Sequence, residues 1–163
     1  MFKTKWSIVL ALALCALLLP ITGTGKDQVE RPFKLHGENT VIADLEGFIL
    51  HGNPVCPYWT ESESGEATHL GRYTSEGGGT INLATGVVTG SGYVTAANGD
   101  ELFWEMTIQM GAPAGVVTFT GGTGRFAGAS GLWTETVTDE SVVLEGYLLT
   151  IEHSLSGVGT ITY

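Results

Sequence analysis

The chain has 163 residues, a formal net charge of −10 and a mean hydropathy of +0.20, enough length for one domain with a real core and no call for a second. All seventeen acidic residues lie beyond residue 25, against five basic ones (Lys26, Arg31, Lys34, Arg72 and Arg125), which leaves −12 on that part. Such a charge argues against nucleic-acid and anionic lipid-surface partners, because both rely on clustered Lys and Arg.

Residues 1–25 read as a secretion signal: Lys3 and Lys5, the apolar run Trp6 to Leu19, then small residues around Gly23 and Gly25. The run is too short for a membrane span before Pro20 stops it. Cleavage is expected near Gly25, giving a secreted or periplasmic protein. Leu14 stands just before Cys15 where lipid attachment wants a small residue, so an anchor at Cys15 is disfavoured. Removal of the signal leaves Cys56 as the sole cysteine, and no internal disulfide can form. Residues 26–36, polar and proline-punctuated, read as an N-terminal arm, and 37–163 as the folded domain.

Within that domain no apolar residue recurs at helical spacing for more than a turn, while 24 glycines, about twice the usual share, and many β-branched residues signal strands and turns. Strands are expected near 40–50, 67–76, 79–85, 87–97, 101–110, 115–121, 126–138, 142–152 and 157–163. The clearest is Glu101 to Met110, with Leu102, Trp104, Met106, Ile108 and Met110 on one face. Asn98-Gly99-Asp100 before it is a hairpin turn, because Asn and Gly accept positive φ. The segment Gly52 to Glu66 reads as the longest irregular loop, a solvated excursion or a lid that lets Trp59 close a mouth.

A run of hairpin-linked strands favours closure, which removes open edges. The expected fold is all-β, an antiparallel up-and-down β-barrel of about eight strands. A two-sheet β-sandwich is the alternative if the glycine-rich strands bend between sheets.

Three stretches carry a resemblance: Ala67-Thr68-His69-Leu70-Gly71-Arg72-Tyr73, Ala96-Ala97-Asn98-Gly99-Asp100-Glu101-Leu102, and Thr120-Gly121-Gly122-Thr123-Gly124-Arg125-Phe126-Ala127-Gly128-Ala129-Ser130-Gly131. Together they resemble a group of exported bacterial proteins of unassigned function. The third is also similar to the Gly-Gly-x-Gly-x-Phe hairpin of allene oxide cyclase and dirigent barrels, which implies an eight-stranded barrel around an apolar cavity. The acidic, amide-bearing strand motif of the cyclases has no counterpart between Thr40 and Pro57, so no catalytic residue is carried over.

Candidate ligand contacts come from strand alternation. His69 and Tyr73 share one face and Arg72 the other, so either the first pair or Arg72 faces the interior. Arg125 in the glycine-rich hairpin meets an anionic ligand at the rim, or pairs with a neighbouring carboxylate while Phe126 plugs the barrel end. Tyr93, Trp104, Phe119 and Trp133 fall on successive strands and either pack the core or line a pocket for an apolar molecule.

His36, His51, Cys56, His69 and His153 show no paired metal spacing, and no Gly-x-Ser-x-Gly nucleophile elbow is present. No metal or cofactor is expected. Three readings follow: a barrel that binds a small apolar or amphipathic molecule, an isomerase or cyclase using the same cavity, or a packed structural or interaction module in which homo-oligomer contacts fall on the outer faces.

Overall fold

A computed structural model describes residues 28–112 and 114–163, the side chains of Cys56 and Pro57 excepted. The signal segment, its cleavage site and Cys15 lie outside the described residues, as does any role of the Cys56 thiol. Eight strands run in chain order: β1 (Glu30–Asp44), β2 (Val55–Ala67), β3 (Gly71–Asn82), β4 (Val87–Thr95), β5 (Glu101–Gln109), β6 (Gly115–Gly122), β7 (Ser130–Glu145) and β8 (Leu148–Thr162). Each pairs antiparallel with the next, and β8 pairs with β1 to close a barrel. The sandwich alternative is thereby set aside.

The closure is strongly sheared. Followed from Val41 through Glu61, Gly77, Gly92, Trp104, Phe119, Gly131 and Ile161, the register returns to β1 at Arg31, ten residues before Val41. Strands so tilted place inward side chains of neighbours at staggered heights, where they interdigitate.

Period-two patterning holds well on β5. Leu102 and Trp104 are buried inside, Met106 and Ile108 are half-buried, and Phe103, Glu105 and Thr107 face outward. The Asn98-Gly99 turn ties β4 to β5, with Gly99 at φ 84° and the Ala96 N–H donating to Asp100 O. Met110 falls beyond the strand and is exposed.

The expected irregular segment is the main correction. Gly52–Glu66 contains most of β2, and Trp59 is one of its inward residues, 3% exposed, with its indole N–H donating to Thr89 O at 3.1 Å. It packs the interior and is not a lid. The run Glu61-Ser62-Glu63-Ser64 offers no hydrophobic alternation, so the usual strand signal is missing there. The expected strand 40–50 is instead the end of β1 and a short helix α1 (Glu46–His51), started by the Asp44 carboxylate accepting the Glu46 N–H and stopped by Gly52 in the left-handed region. The strands expected at 67–76 and 79–85 are parts of the one strand β3, and β1 already begins at Glu30 within the segment read as an arm.

Large rings fill the lumen where glycines on neighbouring strands leave room. A Cβ placed on Gly77 or Gly92 would fall 2.3 or 2.5 Å from the Trp104 ring. At the end of the barrel near Tyr163, Phe126 is fully buried from its 3-10 turn (Gly124–Phe126) and meets the Tyr163 ring edge-on at 5.2 Å. Among the described residues no helix is long and apolar enough to cross a membrane.

Candidate functional site

Inside the barrel an apolar wall and a group of carboxyls share one small cavity. Phe33, Phe119 and Trp133 form an aromatic cluster: Phe33 stands edge-on to Phe119 at 5.0 Å, and Phe119 tilts against Trp133 at 4.6 Å. Trp104 completes that wall, with its indole N–H donating to the Ser75 hydroxyl at 3.2 Å. Lining the same cavity are three carboxyls that alternation turns inward: Glu61 and Glu63 from β2 and Glu135 from β7.

Glu61 and Glu63 have neutral donors as partners. The Asn39 side-chain N–H donates to Glu61 at 3.3 Å, and the Tyr73 hydroxyl donates to Glu63. Burial pushes Glu63 up from 4.5 to about 8, opposed by the Tyr73 hydrogen bond and assisted by repulsion from Glu61 and Glu135. Burial likewise raises Glu61 from 4.5 to about 7, against the Asn39 hydrogen bond and with Glu135 adding repulsion. Glu135 is raised by burial, and Tyr73 is held neutral by burial and by the carboxyls around it. At neutral pH Glu63 is therefore mainly protonated and Glu61 about half so, and a protonated carboxyl is both a hydrogen-bond donor and a proton source.

The space between these groups is small. The cavity measures about 20 Å³, room for a water molecule or so. Two buried polar atoms in this region find no protein partner, the Trp133 indole nitrogen on the cavity wall and the Asn39 side-chain oxygen. His153, opposite Asn39 on β8, is also buried with both ring nitrogens unpartnered, and burial lowers its pKa so that it stays neutral. Among the described residues no three His, Cys, Asp or Glu side chains are grouped to hold a metal ion.

The structure brings together only some of the residues singled out by sequence. Tyr73, Trp104 and Trp133 line the lumen. Arg72 is exposed on the outer face of β3, which resolves the alternation in favour of Tyr73. His69 is not a strand residue: it sits in the β2–β3 turn at φ 67°, with its ring Nε2 at 3.0 Å from Pro32 O and its ring against Tyr163. Tyr93 points outward and donates its hydroxyl to Glu76 at 2.6 Å. Arg125 lies over the Phe126 ring at 4.6 Å, 3.9 Å from the Asp100 carboxylate, and donates to His69 O. Arg125 is thus paired with a neighbouring carboxylate, beside the fully buried Phe126.

Glu61, Glu63, Glu135, Asn39 and Ser75 were not identified from sequence. The spacing Glu61-x-Glu63 was the available signal, since it sends both side chains to one face of a strand. Asn39 directly precedes, and Glu61 and Glu63 follow, the interval Thr40–Pro57, which holds no counterpart of the cyclase motif.

Fold and lumen define the class: a closed eight-stranded antiparallel barrel with an aromatic and acidic interior. No protein-family model matches the chain, and a search of curated proteins gives no match. Among solved structures it is similar to the pterocarpan synthase dirigent protein GePTS1, at 14% identity over 83% of this chain and 93% of that one, with a TM-score of 0.50. A second likeness, to the pterocarpan synthase dirigent protein PsPTS1, has 10% identity, coverage of 79% and 94%, and a TM-score of 0.46. The barrel fold is that of dirigent proteins, a fold related to allene oxide cyclase.

Proposed function

We propose that the lumen receives a small amphipathic molecule, with its apolar part against Phe33, Trp104, Phe119 and Trp133 and its polar part at Glu61, Glu63 and Glu135. The observation that carries this reading is three inward carboxyls that, among the described residues, have no cationic side chain beside them, next to a buried indole N–H that has no partner there. An interior needed only for packing gains nothing from such groups, because burying them is unfavourable and apolar replacements would be more stable. Occupancy requires side chains around the cavity to move, since about 20 Å³ admits no more than a small polar group.

The protonated acids also suit an isomerase or cyclase, in which one of them donates a proton to the bound molecule. The small cavity favours a third reading, a packed module whose work is done on the outside. Titration with a fluorescent amphipathic probe, read by quenching of tryptophan emission, separates these. Ligand binding predicts saturable quenching that Trp104→Ala or Glu63→Gln alters at least about fivefold and Tyr93→Phe, on the outer wall, leaves unchanged. No saturable binding across a broad set of probes, by protein whose fold is verified, refutes it. Product analysis with epoxide or polyene substrates tests the enzymatic reading, and absence of turnover above buffer removes it.

A further inference from the structure

One strand of the closed barrel extends well beyond its neighbour. Strand β6 pairs with β7 only from Gly115 to Phe119, opposite Gly131 to Glu135. Beyond Glu135, β7 continues to Glu145 bonded to β8 alone, so the ten residues Thr136–Glu145 form an open edge about 33 Å long at the usual strand rise. Every residue from Thr136 to Leu148 is exposed, and among the described elements only β6 and β8 flank β7 closely. Alternate backbone N–H and C=O groups along such an edge point away from the sheet and are available to another strand.

The chemistry of this edge is specific. Val137, Val142, Val143 and Leu144 are 41–56% exposed and offer apolar contacts on both faces. Asp139, Glu140 and Glu145 add three carboxylates, and neither β7 nor β8 carries a lysine or arginine. A second copy of the chain would bring the same carboxylates against themselves, in a protein with seventeen acidic and seven basic residues. From this we infer that the open edge of β7 is a docking site for an extended basic peptide segment, which adds as a strand in line with β6 and places its Lys or Arg side chains near Asp139, Glu140 and Glu145. This site is independent of the lumen.

The test uses the intact protein and a labelled peptide of alternating lysine and valine, about ten residues long to match the open edge. Fluorescence anisotropy at low salt should show binding at least about tenfold tighter than for the same peptide with glutamate in place of lysine. Methylation of alternate peptide amides should abolish binding, and Glu145→Lys should weaken it severalfold. Amide exchange in Thr136–Glu145 should slow when the peptide is present. Equal binding of both peptides, indifference to amide methylation, protection mapping to another strand, or a dimer of the protein that occupies the edge would each overturn the inference.

Discussion

Glu63→Gln isolates the energetic consequence of the buried acid cluster. Glu63 has its pKa raised from 4.5 to about 8 when folded, mainly by burial. Between those values the folded protein keeps a proton that the unfolded chain has released. Stability is therefore at its full value below pH 4.5, falls as pH rises, and levels off above about 8. At ~1.4 kcal/mol per pH unit, the interval corresponds to about 5 kcal/mol for this one side chain, a large part of the 5–15 kcal/mol typical of a domain. Glu61, raised to about 7, acts in the same direction over 4.5 to 7. Glutamine keeps the shape and an oxygen that accepts the Tyr73 hydroxyl, but it cannot ionise. Urea unfolding followed by tryptophan fluorescence at pH 5 and pH 8.5 measures the effect. The native sequence should be several kcal/mol less stable at the higher pH, whereas Glu63→Gln should lose much less and be the more stable of the two at pH 8.5. Identical pH dependence in both proteins would refute the argument, because the carboxyl would then be free to ionise without strain.

Gly77→Ala places a methyl group 2.3 Å from the Trp104 ring, so overpacking should destabilise the barrel by about 1–3 kcal/mol, measured by chemical denaturation; an unchanged midpoint would mean that the ring is free to move. Expression with export, followed by N-terminal sequencing and intact-mass measurement, should find a chain that starts near residue 26 and carries no lipid, and a retained apolar run would contradict the signal reading.

Local patterning in the sequence was sufficient for the strand content, the Asn98-Gly99 hairpin and the inward row Leu102, Trp104 and Met106, because alternation and turn chemistry act between residues close in the chain. It also made Phe126 legible as a plug, since a phenylalanine in a glycine-rich hairpin has few other places to go. The candidate site was mostly illegible. A polar strand such as Glu61-Ser62-Glu63-Ser64 has two hydrophilic faces, so period two by itself does not say which face is inside. Only closure decides that: β2 lies between β1 and β3, and its sheared register puts Glu61 and Glu63 in one cavity with Trp104 and Glu135, the latter more than seventy positions along the chain. Burial then changes the chemistry of the carboxyls, an effect of surroundings that no single residue carries. The open edge of β7 has the same origin, because it exists through the difference in length between two strands and the register that aligns them.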